Sequence, residues 1–134
     1  MIEKNVVTVF LEHGGKILKV RRSSKVGTYQ GKWAGVSGYI EENEEPYQTA
    51  LKEISEEVGL TAKDVKLIKT GRVLLVPDEE NGILWKVHPF LFKSTTREIK
   101  IDWEHGEYKW IEPGEIIRYE TVPMLKETLE NVMK

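Results

Sequence analysis

The period of the apolar positions changes several times along this chain, and each change marks an element. From Val6 to Glu12 β-branched and aromatic side chains dominate, which predicts a strand. His13-Gly14-Gly15 then turns the chain into Lys16–Arg22, a hairpin pattern. Ser23–Lys32 is polar, carries Gly27 and Gly31, and reads as a loop. Trp33–Ile40 is short and extended, broken by Gly35 and Gly38. Val65–Val76 reads as a strand with a bulge at Gly71, and Asn81-Gly82 as a tight turn leading into Ile83–Phe92. Ile99–Trp103 and Tyr108–Ile111 complete the predicted strands. Two stretches have helical spacing instead. Tyr47, Leu51, Ile54 and Val58 recur at four, three and four residues, with Glu45 at the cap, Pro46 in the first turn and Gly59 just past the end. Val122, Leu125, Leu129 and Val132 form a second stripe near the C-terminus. Helices that interrupt and follow strands predict an α/β fold, a sheet covered by helices.

Composition narrows the class. The 134 residues suit one domain, residues 1–134, with one core. A formal net charge of −2 argues against a general nucleic-acid binder. With no Cys there is neither a disulfide nor a thiolate metal site, and the histidines show no close ligand spacing. The apolar run from Val6 to Leu11 is too short for a signal-peptide core or a membrane span. A cytoplasmic monomer or homodimer is the expectation.

The candidate chemistry lies on the first predicted helix. At roughly 100° per residue, Glu53, Glu56 and Glu57 fan out beside the apolar stripe, with Glu57 nearest its buried edge. Glu53 and Glu57 are four apart and face each other, a like-charge spacing that costs a few tenths of a kcal/mol. All three sit where the helix end is already negative, so stability alone would favour Lys or Arg there. Glu-rich helix faces are commonly just solvated. A divalent cation would reverse the balance, since three carboxylates offer hard oxygen ligands suited to Mg²⁺ or Mn²⁺.

The wider spacing is more specific. Gly38 is followed after five residues by Glu44; seven residues later come Lys52-Glu53-Ile54, then Glu56-Glu57 and Gly59-Leu60, each after one residue. This resembles the signature of the Nudix hydrolases, which carries Arg where this chain has Lys52. The approach "GKWAGVSGYIE" (residues 31–41) and the downstream "EHGEYKW" (residues 104–110) are also similar to Nudix elements.

The resemblance implies an α/β/α sandwich with a mixed β-sheet, and Mg²⁺-dependent cleavage of a pyrophosphate bond in a nucleoside diphosphate-linked compound. It implies Glu56 and Glu57 as metal ligands, Glu53 as ligand or base, and the Ser37 carbonyl as a further ligand. Gly38 would allow close chain approach, and Glu44 would brace the loop against the helix. Glu104 is the candidate base outside the signature, with Glu107 its competitor. Lys52 cannot form the fork an Arg would make, though it lies within ion-pair reach of Glu56; an altered catalytic orientation, or a nucleotide-sensing protein with weak catalysis, follows as an alternative. Arg22, or less favourably Arg21, is the candidate phosphate contact. Tyr29, Trp33 and Trp85 are candidates to stack on a base, although such Trp residues are more often core. His105 either touches a phosphate or simply sits in its turn. The substrate stays open between nucleoside triphosphates and dinucleoside polyphosphates. A 5′ RNA end is a further alternative, disfavoured by the near-neutral charge.

Overall fold

A computed structural model describes residues 1–133. The sheet is built around β1 (Ile2–His13). Gly14 and Gly15, at φ 61 and 84, close the predicted hairpin to β2 (Lys16–Arg22); two consecutive positive φ values are what a two-residue hairpin turn demands. The run from Trp33 breaks at Gly35 into β3 (Trp33–Ala34), paired with β2, and β4 (Val36–Tyr39), antiparallel to β1. Gly38 lies inside β4 rather than ending it. The run from Val65 likewise splits into β5 (Val65–Thr70) and β6 (Leu74–Asp78), both antiparallel to β7 (Ile83–Ser94). The bulge expected at Gly71 falls earlier, between Leu67 and Lys69. At Gly71 itself a Cβ would meet the Asn131 side chain at 2.5 Å, so the strand breaks where a helix passes close by. β7 runs parallel to β1 from Ile2↔Ile83 to Glu12↔Lys93, which makes the sheet mixed. β8 (His105–Ile111) pairs with β2.

Strand alternation produces two faces and three layers. Val7, Val9 and Leu11 of β1, with Leu18, Val20, Phe90 and Phe92, pack on Ala50, Ile54 and Val58 of α1 (Pro46–Val58). The intervening Phe10, with Ile17 and Leu91, packs on Leu125, Leu129 and Val132 of α2 (Leu125–Met133) and on Ile116 of a 3₁₀ helix, Pro113–Arg118. This is the α/β/α sandwich. No described helix is long and apolar enough to cross a membrane.

Two expectations need correction. Ile99–Trp103 is not a strand. Ile99 and Ile101 do pack against the α1-side core, but the Lys100 N–H donates to the Val58 carbonyl at the end of α1 (3.0 Å) rather than to a neighbouring strand. The alternation was real, and a helix end used it. The Asn81-Gly82 turn is also longer than a tight pair: Asp78 and Ile83 close a four-residue loop, braced by the Asn81 N–H and side-chain amide donating to Asp78.

Candidate active site

α1 is fixed at both ends. The Glu45 N–H donates to Gln48 Oε1 (3.1 Å), and Gly59 leaves the helix at φ 72 with its N–H on the Ser55 carbonyl (3.2 Å). With Ile54 and Val58 turned to the sheet, Glu57 one position away is carried into the interior at 1% exposure. Its Oε1 accepts the Ser37 N–H (3.4 Å) and lies 3.4 Å from His105 Nε2, while Oε2 is buried with no partner among the described residues. Burial, then the Glu53 charge, pushes the Glu57 carboxyl up to about 10. Glu53 is half-buried and held close under β4: a Cβ on Gly38 would sit 2.3 Å from its carboxyl carbon. Burial and the Glu56 charge push Glu53 up to about 7, against a hydrogen bond it shares with Glu57. Glu56 is exposed on the outer side of the same turn.

These acids are short of positive charge. An unpartnered buried carboxylate oxygen costs free energy until something compensates it. Among the described residues the acids do not form a ready-made cage of three ligands. The donor set nonetheless fits Mg²⁺, which commonly takes one or two carboxylates and completes its shell with water and substrate phosphate. Glu57, Glu56 and the Ser37 carbonyl could hold such an ion, with Glu53 close enough to join them as ligand or base.

Lys52 pairs with Glu44 while still lining the cavity beside Glu53. Its Nζ lies 3.0 Å from Glu44 Oε2, while Glu44 Oε1 accepts the Glu41 N–H (3.0 Å) and the Thr49 hydroxyl (3.1 Å). Glu44 thus ties the preceding loop to the helix, and Lys52, chiefly, holds its carboxyl below the ordinary range. The expected Lys52–Glu56 contact gives way to this one, because the loop folds Glu44 back over the first turns of α1.

A cavity of about 270 Å³ opens beside the acids. Val6 and Val87 of the sheet and Leu125 of α2 line its apolar part; Glu53, Glu104 and Arg22 line its charged part. Arg22 is held by Thr28, to whose carbonyl Nε donates (2.8 Å) and to whose hydroxyl Nη2 donates (3.2 Å). Among the charges acting on Arg22, Glu104 and Glu57 lead. Burial first, then Asp102, raises the Glu104 carboxyl, and Arg22 opposes the shift. Arg21 points elsewhere: Nη1 pairs with Glu107 (3.0 Å) and Nε donates to the Gly31 carbonyl (3.0 Å), both at the exposed surface. That pairing also takes Glu107 away from the cavity.

Of the aromatic candidates, Tyr29 and Trp85 line the cavity and Trp33 does not. The Tyr29 hydroxyl donates to Asp78 and accepts the Trp85 Nε1–H (3.0 Å), so the polar tips are engaged within the wall. Trp33 is 8% exposed and packs on Tyr119 instead, with Lys19 Nζ 3.2 Å from its ring centroid and 3.0 Å from that of Tyr119. Its ring faces a buried lysine and Tyr119 and lies outside the cavity, in keeping with the core alternative. Sequence reasoning missed Tyr39, Glu41 and Thr28, which also line the cavity, and Asp102 behind it. Asp102, three residues before His105, left a readable trace; Thr28 left none.

Comparison with known proteins agrees with this geometry. The family model described as NUDIX domain matches residues 1–132. The chain is 24% identical to the nucleoside triphosphatase NudI of Escherichia coli O139:H28 (strain E24377A / ETEC), covering 96% of each chain. Among solved structures it is similar to the MutT protein from Methanosarcina mazei Go1 (TM-score 0.77, 24% identity, covering 96% of this chain and 91% of that one). It is also similar in fold to a C. elegans Ap4A hydrolase in a binary complex (TM-score 0.76, 18% identity, 98% and 94% covered). The signature, the sandwich and the match over nearly the whole chain lead to one conclusion: the chain belongs to the NUDIX-domain family and is an enzyme, a Nudix pyrophosphohydrolase.

Proposed function

We propose that this enzyme carries out Mg²⁺-dependent hydrolysis of a pyrophosphate bond in a nucleotide, of the nucleoside triphosphate or dinucleoside polyphosphate type, with Mn²⁺ able to substitute. The observation that carries the reading is the buried Glu57, whose Oε2 has no hydrogen-bond partner among the described residues, behind Glu53, which lines a cavity together with Arg22, Tyr29 and Trp85. The names of the relatives, a nucleoside triphosphatase and an Ap4A hydrolase, fit the same substrate range.

Glu57, Glu56 and the Ser37 carbonyl would hold the cation, with Glu53 as ligand or second base. When bound, Mg²⁺ screens phosphate charge and stabilises the leaving phosphate. Arg22 binds phosphate oxygens through its fork, prepositioned by Thr28. Tyr29 and Trp85 offer ring faces to a base. Glu104 takes the proton from the attacking water. Its raised carboxyl value, still opposed by Arg22, suits that role better than a fully exposed acid would. A panel of nucleoside triphosphates, dinucleoside polyphosphates and 5′-triphosphate RNA, assayed with and without Mg²⁺ and with products identified, tests the reading. Turnover only of the RNA, or none of any member, would overturn it.

A further inference from the structure

His105 is a polar side chain in an interior position. Its side chain is 2% exposed, and its ring spans two acids: Nε2 lies 3.4 Å from Glu57 Oε1 and Nδ1 lies 3.3 Å from Asp102 Oδ1. It begins β8 directly after Glu104, where the Arg22↔His105 pairing follows an irregularity in the β2 ladder. That irregularity shifts the register just where the ring enters. An imidazole this deep is costly unless its contacts do something.

The contact falls on one oxygen of Glu57 only. Oε1 meets both the Ser37 N–H and the His105 ring, and Oε2, on the carboxyl that adjoins Glu53, has no hydrogen-bond partner among the described residues. Glu57 can rotate about its last side-chain bonds unless something pins it. Lys52 does not pin it, since its ammonium is engaged by Glu44. We infer that His105, whose Nδ1 lies 3.3 Å from Asp102 Oδ1 without a hydrogen bond, is the positioning residue for Glu57, holding Oε1 so that Oε2 is left for the cation. The inference rests on the metal-binding role proposed above for Glu57. His105 touches no substrate in this account; it acts through the ligand. Partners standing behind metal ligands typically contribute 10–100-fold in affinity.

Mn²⁺ binding, followed by titration calorimetry with a non-hydrolysable nucleotide analogue present, tests it. His105→Leu removes the pin, Asp102→Ala frees the ring, and His105→Gln keeps an amide able to reach Glu57. The expected result is a roughly 10–100-fold weaker Mn²⁺ affinity for His105→Leu, a smaller loss for Asp102→Ala, and substantial rescue by His105→Gln. Metal-free melting temperature serves as the folding control. Unchanged affinity in His105→Leu and Asp102→Ala overturns the inference. So does His105→Gln falling as far as His105→Leu with its melting temperature intact, since the ring would then matter only for packing. If His105→Leu does not fold, Asp102→Ala and His105→Gln decide. If the parent itself takes up no Mn²⁺, the metal role of Glu57 fails and the inference falls with it, a result distinct from normal parent binding with indifferent variants.

Discussion

At the scale of single residues, the roles proposed for Glu57 and Glu104 follow from their different surroundings. Glu57 is buried with one free oxygen; Glu104 stands half-buried at the cavity beside Arg22. Glu57→Gln is therefore expected to weaken metal binding and slow turnover together, because an amide is a poorer Mg²⁺ ligand than a carboxylate. Glu104→Gln should keep metal affinity and lower the rate by roughly 10²–10⁴, with partial recovery at high pH as hydroxide replaces the assisted water. Neither variant should melt below the parent without metal, since Glu57→Gln spares the folded state the cost of keeping a buried carboxyl protonated and Glu104→Gln removes an acid from a crowded patch. Full activity in Glu104→Gln, with Glu53→Gln inactive but still binding metal, would move the base to Glu53. Lys52 gives a second test. Its partner is Glu44 at 3.0 Å, a pairing that Arg can reproduce as a fork. Lys52→Arg should keep the fold and leave turnover unchanged or higher. A large fall with normal metal binding would show that the loop is built around an ammonium. The crowding of acids was legible in the sequence because helical spacing alone determines which residues neighbour one another. The direction of Lys52 was not, because Glu44 reaches it only through the folding of a loop.

At the scale of elements, the close contact between β4 and α1 sets where the Glu53 carboxyl lies. A Cβ at Gly38 would meet Glu53 Cδ and Oε1 at 2.3 Å. The obstacle is the far end of a flexible side chain, so the fold can yield at little cost. Gly38→Ala should thus change stability by no more than about 1 kcal/mol. It should also displace the Glu53 carboxylate and lower turnover by roughly 10²-fold, the scale of small misplacements in a site. Denaturant unfolding and steady-state rates on the same sample check both parts; a stable variant with full turnover would show that Glu53 need not lie under β4. Period-two patterns made β1, β2, β7 and β8 readable, and the caps made α1 readable to its ends. The failures are equally specific. Ile99 and Ile101 alternate like a strand but dock beside the end of α1. Trp33 reads as either platform or core. Only the packing of Lys19 between it and Tyr119, residues far apart in sequence, decides the matter.

At the scale of the whole molecule, the sandwich holds carboxylates in a place that, without a cation, works against folding. Glu53 and Glu57 are both raised above their ordinary 4.5, to about 7 and about 10. The folded state therefore keeps protons that the unfolded state has lost. Their contribution to stability is fully present below the ordinary value and is lost as pH rises from about 4.5 through 7 and onward towards 10. A cation bound at Glu57 and Glu53 removes that penalty, and binding to the folded state adds stability by mass action. The measurement that tests the central claim most directly is unfolding free energy across pH 5–9, metal-free and with Mg²⁺ plus a non-hydrolysable nucleotide. The account predicts metal-free stability falling with pH, and a gap between the two curves that widens as pH rises. A metal-free curve that is flat or rising over that range, or a gap that is absent or constant, would contradict it.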